Sequence, residues 1–463
     1  MIILREHHTA LFTTRNLLDE LDPTNRLVIL AKNLDWATIE ENLSIYYDST
    51  GTPGLPIRLM AGLNILKYIE DESDEKIIQN WKENPYYQAF TGSDCFSKDL
   101  PPCNSSSLSI FRRRIGVDGC NFLLKQSILL NKIDLNDQKE VIIDSTVQPK
   151  YTAFPTDIKL TYDVIKSLWA LAIFYGIKFR NKYKKETKRL RKNAAFDKSK
   201  NRGNIREETL ARLRKIASIL LKEIEAKLPD NIKSTASFEL TYDTYNKVIT
   251  QKKDDKNKIY SIYEPQIYCI AKGKTNVKYE YGTKVVIIVD KKTGIVLEVN
   301  SLDENTHDSK TIKPILDHLQ EHTGIKPIKV IGDKGYRGPK VVNNATIIVP
   351  EKDISKLDDA TKKEKINDYN RRSVIEQVIS HCKNEYKLGR NVLKGIIGDK
   401  INPILTSIAY NCQLFIRSTI KQINKVKSNK RKNILSRNNY KKVNDINPRP
   451  IFNAYYEPKQ QLK

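Results

Sequence analysis

The chain has 463 residues, 39% of them hydrophobic, with 80 Lys and Arg against 55 Asp and Glu for a formal net charge of +25. That length buries ordinary cores in roughly two to four domains, and that charge points to a polyanion partner, nucleic acid, rather than a neutral small substrate. Six scattered cysteines without a CxxC pair argue against a zinc knuckle or disulfide scaffold and read as reduced, buried thiols; no apolar run reaches the length of about eighteen that a membrane span needs, and charge interrupts the N-terminus Met1 to His8 at once, so the expected location is the cytoplasm.

Residues 1–135 read as short helices. Asp35 precedes Trp36 to Glu40, Pro56 opens Ile57 to Leu66, and Ser73 precedes Asp74 to Ile78, each a plausible helix start. Ser106 or Ser107 caps Leu108 to Arg114, with Gly116 as the stop. The result is a compact helical unit whose basic face carries Arg112, Arg113 and Arg114. It is either a helix-turn-helix-like DNA reader, with these arginines on DNA, or a packing and dimerisation unit with a solvated basic helix.

Val141 to Val147 is a β-branched run suited to a buried strand, and it ends in an acid, Asp144. A carboxylate at the carboxyl end of a sheet strand is a candidate metal ligand; the bland alternative is a turn or helix cap. Lys178 to Arg202 then holds twelve Lys and Arg against Glu186 and Asp197, with Tyr183 and Phe196 interleaved, which suits contact with a DNA backbone. Leu210, Leu213, Ala217, Leu220 and Ile224 recur at helical spacing behind it. Residues 158–262 therefore read as a basic helical insertion within one sheet.

The sheet resumes at Thr283 to Asp290, turns at Lys291 to Gly294 and returns over Ile295 to Asn300 as a hairpin. A helix runs from about Ser309 to Glu321. Lys329 to Asp333 is a second apolar strand ending in an acid, followed by Lys334-Gly335-Tyr336-Arg337-Gly338, whose glycines allow close approach to a phosphate. Thr346 to Pro350 is a last strand.

Tyr369 to Lys383 reads as one helix. At about 100° per residue, Tyr369, Arg372, Glu376 and Lys383 share an arc of roughly 60°, while Val374, Ile375, Val378, Ile379 and Cys382 form the opposite, anchoring stripe. An acid flanked by bases suits a site that binds a cation and phosphate oxygens together. A solvated face tied by side-chain pairs is the alternative.

In order, this is strand with Asp, hairpin, helix, strand with Asp, strand, helix with Glu: an α/β, ribonuclease-H-like mixed sheet with a helical insertion, behind an all-α N-terminal domain. Three acids at one sheet edge can hold two divalent cations for an in-line phosphoryl displacement.

The chain resembles the insertion-sequence DDE transposases of the IS-five-like group over nearly all of residues 20–420. Five stretches carry the resemblance: Gly51 to Pro56 with Glu83 to Tyr86; Asp144 to Val147 with Phe154 to Asp157; Tyr268 to Lys274; Gly332 to Gly338; and Tyr369 to Lys383 with Leu393 to Gly395. The last is the most diagnostic, because the family's Tyr, Arg, Glu, Lys spacing falls on Tyr369, Arg372, Glu376 and Lys383 without a gap. Gln377, Cys382 and Tyr151-Thr152 depart from the family's usual residues and remove no ligand. The resemblance implies that Asp144, Asp333 and Glu376 are the catalytic and metal-binding triad. It implies Mg²⁺ as cofactor, with Mn²⁺ as a substitute, and double-stranded DNA, both inverted-repeat ends and target, as partner of a homodimer or larger oligomer. The domains are then 1–135, a helical DNA-binding region; 136–420, the catalytic domain; and 421–463, a basic tail. Asp144 lies 189 residues before Asp333, and Asp333 lies 43 before Glu376, which places the insertion between the first two acids and excludes subgroups that carry it before the Glu helix. A non-cutting domesticated DNA-binding protein and a structure-selective nuclease of the same fold are the alternatives. From Arg417 to Lys442 there are ten Lys and Arg and no acid; without helical periodicity after about Ile423, this reads as a mobile tail that neutralises phosphates or confers solubility.

Overall fold

The computed structural model describes residues 16–48, 54–98, 101–135, 139–152, 154–181, 183–196, 202–271, 278–351 and 358–444, with side chains as far as 428. Met1 to His8, Gly51 to Pro53, Lys272 to Lys274, the Phe196 side chain and the chain after 444 lie outside them. By its contacts the chain divides into one compact unit up to Leu414 and a second from Phe415.

The first helices are α1 (Leu17–Glu20), α2 (Arg26–Asn33), α3 (Trp36–Ser44), α4 (Ile57–Ile69), α5 (Asp74–Glu83), α6 (Pro85–Phe90) and α7 (Ser105–Leu130). Asp35 and Ser73 cap α3 and α5 by accepting from the amides of Thr38 and Lys76, and Pro56 opens α4, as the sequence leads one to expect. For α7 the cap is Asn104, ahead of the expected serines. Gly116, at φ 62° and ψ −157°, breaks α7 in two, a backbone conformation that a Cβ would oppose. Leu30, Ile39, Leu63, Leu66, Ile77, Phe90, Leu108 and Ile115 make the core of these helices, each essentially without exposure.

β1 (Lys139–Pro149) is the central strand. The insertion follows as α8 (Asp157–Phe174), α9 (Lys184–Phe196), α10 (Arg202–Lys227), α11 (Asp230–Lys233) and α12 (Ala236–Thr250). It has a core of its own: Leu213, Ala217, Leu220 and Ile224 of α10 meet Val164 and Leu168 of α8 and Val248 of α12. Each such side chain contributes about 1.5–3 kcal/mol. Part of the basic stretch is thus helical, and Tyr183 packs against this core beneath Arg212 rather than standing free.

The sheet continues through β2 (Tyr268–Ala271), β3 (Tyr279–Asp290) and β4 (Val296–Leu302), then α13 (Asp308–Thr323), β5 (Pro327–Ile331), β6 (Val341–Val342) and β7 (Ala345–Ile348). β1 pairs antiparallel with β3 and parallel with β5; β5 pairs parallel with β7, while β2 and β4 share the other edge of β3. Omitting β2 and β6, the order β4-β3-β1-β5-β7 is the ribonuclease-H-like arrangement expected. Buried Asn411 ties this sheet to the N-terminal helices: its amide donates to Ser127 Oγ of α7 and to the Val296 carbonyl, and its oxygen accepts from Val296 N.

The last elements are α14 (Asp359–Arg371), α15 (Ser373–Glu385) and α16 (Gly395–Asn444). Two expectations are corrected. The single helix from Tyr369 is interrupted at Arg372, and the helical backbone persists past Ile423 to Asn444, a span after Pro403 that holds no Gly or Pro to stop it. All six cysteines are free; Cys120, Cys382 and Cys412 are buried, whereas Cys95 is exposed.

Candidate active site

Asp144 lies mid-strand, not at a strand end: β1 runs five residues past it. What ends is β5. Its pairing with β1 stops at Ile142↔Ile331, after which Gly332 and Asp333 turn out of the sheet beside Asp144. Asp333 Oδ1 accepts the Gly335 amide at 2.8 Å and so caps a short 3-10 turn over Lys334–Tyr336. The turn folds the Tyr336 ring over Gly332, where an added Cβ would meet that ring at 3.0 Å. A side chain at 332 would have to push the Tyr336 ring aside. Two acids 189 residues apart in sequence meet here.

Burial pushes the Asp144 carboxyl up to about 6; the 2.7 Å bond from Ser145 N opposes this, Asp333 adds to it, Arg372 opposes it and Asp308 adds to it. Tyr336 is fully buried, with its hydroxyl against the Ser145 side chain. Burial, then Asp308, Asp144 and Asp333, hold that phenol well above its ordinary range.

Asp308, the first residue of α13, is the acid that sequence reasoning missed. Its Oδ1 accepts from Ser145 Oγ at 2.7 Å and lies 2.6 Å from Lys284 Nζ. With the helix expected from about Ser309, Asp308 falls where acids are common at helix starts, and nothing local marks it out.

Ile375, Val378 and Cys382 are buried and seat α15, which packs on β1. Glu376, in the first turn, is exposed and bound to Arg372 Nη2 at 2.8 Å. Arg372 was expected on phosphate and instead holds Glu376, while its charge also reaches Asp144. The Tyr369 hydroxyl donates to the Val349 carbonyl at 3.3 Å and accepts from Glu351 N at 3.4 Å, anchoring α14 to the chain leaving β7. Arg371 fixes the break between helices by donating to the carbonyls of Lys291 and Lys292. Lys383 is half-buried and lines an open pocket of about 530 Å³ with Lys387 and Arg390.

The three arginines of α7 part company. Arg113 and Arg114 are exposed, with Arg114 over the Tyr47 ring at 4.6 Å. Arg112 is buried, donating to Asn64 Oδ1 at 2.8 Å and to both Asp74 oxygens at 2.9 and 2.6 Å. Against the upward push of burial, Arg112 and Lys67 hold the Asp74 carboxyl below its usual range. Arg112 is therefore corrected from a DNA contact to a clamp inside the helical core.

Among the described residues, the group of metal-ligating side chains whose ligand atoms all fall within 4.8 Å of one another is His318, Glu321 and His322, on α13. There His322 Nδ1 faces Glu298 at 3.1 Å and Nε2 faces the Asn121 amide at 3.1 Å, so both ring nitrogens are engaged. The acids around Asp144 are spaced more widely than that group.

Two family models match the chain: a Transposase DDE domain over residues 250–412, and a Transposase domain (DUF772) over residues 15–114. The first contains Asp333 and Glu376, and the second contains the α7 arginines. The chain is 36% identical over 180 residues to an uncharacterized protein of Rhizobium meliloti, ORF8 in the nfe locus; the match covers 38% of this chain and 86% of that protein. No solved structure matches. No helix among the described residues is long and apolar enough to cross a membrane. The helical region, the sheet order with its paired acids and these matches lead to one conclusion: the chain belongs to the insertion-sequence DDE transposases.

Proposed function

We propose that this transposase binds the ends of its element as double-stranded DNA, cuts them and joins them to a target, with Asp144, Asp333 and Glu376 as the catalytic acids. The observation that carries the reading is the meeting of Asp144 and Asp333 where β5 departs from β1, a place where open sheets bind ligands. A donor set made of carboxylates, Asp144 and Asp333 with Asp308 beside them, fits hard divalent cations, Mg²⁺ or Mn²⁺. When bound at these acids, such ions supply charge for the attacking and leaving oxygens of a phosphoryl displacement.

The chain's own groups do the rest. Asp144 is held on a central strand with its orientation set by Ser145 N, and Asp333 by the Gly335 amide. Glu376 reaches the acids by rotating off Arg372, and a DNA phosphate is the natural replacement partner for that guanidinium. Arrival of DNA and completion of the triad are thereby one exchange. Lys383 on α15 and Arg390 beyond its end bring positive charge to a pocket in which Lys387 is paired with Asp71, and Arg113 and Arg114 stand exposed on α7 as further phosphate contacts. Cleavage and joining each exchange one phosphorus–oxygen bond for another, with water and then the freed 3′ hydroxyl as nucleophile.

The test uses the full chain with linear DNA bearing the element's own termini, a target plasmid and Mg²⁺. Cuts at the termini and joined products support the reading. Cutting without joining makes the protein a nuclease, and binding without cutting makes it a DNA-binding protein.

A further inference from the structure

We propose that Asp308 is a fourth carboxylate of the metal centre, a ligand in its own right beside the triad. The inference rests on the triad reading above.

Its geometry is the argument. The Oδ1 atom of Asp308 is committed to Ser145 Oγ at 2.7 Å and Lys284 Nζ at 2.6 Å. Those bonds fix the carboxylate plane, and Lys284 is itself fixed by donating to the Thr306 carbonyl at 2.8 Å. Oδ2 is turned toward Gly335. There it lies 2.9 Å from the point that a Cβ on residue 335 would occupy, and Asp333 Oδ1 lies 3.0 Å from the same point. Two carboxylate oxygens from distant parts of the chain thus face one small space beside a residue without a side chain. Asp308 is close enough to Asp144 and to Tyr336 to act on both electrostatically. Its anchoring bonds are those of a preset ligand: a base and a hydroxyl hold one oxygen so that the other is aimed. Position at the start of the long helix α13 makes a negative charge tolerable there before any cation arrives.

A purely structural role is the alternative, in which Asp308 serves to hold Ser145 and Lys284. Mn²⁺ binding to the full chain without DNA, read from the electron paramagnetic resonance signal of free Mn²⁺, separates the two. Asp308→Asn should weaken Mn²⁺ binding by about tenfold or more, and Asp308→Ser, which leaves the His307 cap of α13 in place, should do the same. Ser145→Ala and Lys284→Met, which loosen the anchors and leave the carboxylate, should each weaken Mn²⁺ binding by less than Asp308→Asn does. Native-like Mn²⁺ affinity in Asp308→Asn or in Asp308→Ser overturns the proposal. So does an equal loss in Ser145→Ala. Asp333→Asn is run beside them: if it too binds Mn²⁺ as the native chain does, the triad reading fails first, whereas loss in Asp333→Asn with retention in Asp308→Asn overturns this inference alone.

Discussion

Two stretches of one strand, β1, carry buried charge in opposite ways. At its far end Lys150 lies against Asp399 at 2.6 Å and Glu264 at 3.2 Å, and Asp399 also accepts from Asn391 and Gln266. Gln148 bonds Thr283, the Asp399 carbonyl and Asn402, which in turn accepts from Tyr68 of α4. Six residues earlier, Asp144 faces two further acids with one backbone amide and the distant charge of Arg372 in compensation. The first stretch welds β1, α4, α16 and the end of the insertion together. The second stores repulsion that the proposed cations would relieve. Burial raises the Asp399 carboxyl as it raises that of Asp144, but Asp399 has Lys150, Gln266 and Asn391 as direct partners, so removing the acid should destabilise the first place and relieve the second.

The largest effect on folding is expected at the welded end. Asp399→Ala leaves Lys150 buried beside fewer acceptors and should lower unfolding free energy by about 3–5 kcal/mol, measured by urea denaturation. Arg112→Ala should cost a similar amount, about 3–5 kcal/mol, by stranding Asp74. Arg113→Ala should cost less than about 0.5 kcal/mol and instead lower the salt slope of DNA binding by about one unit. Equal stability losses in the two arginine variants would break the distinction drawn on α7.

At the other end, Asp144→Asn should raise the stability of the divalent-free protein by about 1–3 kcal/mol, because it removes a charge that burial and neighbouring acids disfavour. A loss of stability there would mean that Asp144 is held by contacts rather than opposed by charge. Added Mn²⁺ should raise the melting temperature of the native chain and leave that of Asp144→Asn nearly unmoved.

The smallest effect concerns His322, whose hydrogen bond with Glu298 raises its pKa above 6.5 against burial, with Glu321 and Asp118 adding to the rise and Asn121 on its other side. A raised folded pKa contributes stability that is fully present below pH 6.5 and is lost as pH rises through the folded value. Glu298 is almost without exposure and His322 is mostly buried, so solvent screens the pair little. Glu298→Gln should flatten the dependence between pH 6 and 8, roughly, and an unchanged profile would remove His322 as its source.

Much of the sheet was legible in the residues, because β-branched runs ending in acids have few other uses and because the hairpin announces itself at Thr293-Gly294. Asp144 was recognised while its strand was cut short: Gln148 and Lys150 look like surface residues until Asp399, 249 positions away, is brought to them. Arg112 could have been placed correctly. It stands four residues after Leu108 and three before Ile115, both buried, so helical phase alone puts it on the apolar stripe. Asp308 could not, since no local pattern distinguishes a helix-capping acid from one aimed at a site. The break at Arg372 depends on Arg371 finding the carbonyls of the β3–β4 turn, a contact between distant segments. The sequence also left the Arg372–Glu376 pair undecided, since the spacing that sets both toward one ligand equally sets them toward each other.

The central claim is that Asp144, Asp333 and Glu376 form one DNA-cutting centre. Asp333→Ala tests it most directly, because Asp333 stands outside the strands and helices and its loss spares the sheet. In a cleavage assay on the element's ends with Mg²⁺, the variant should cut at least about a thousandfold more slowly than the native chain while binding those ends with affinity changed by less than about threefold. Cleavage at the native rate would contradict the account.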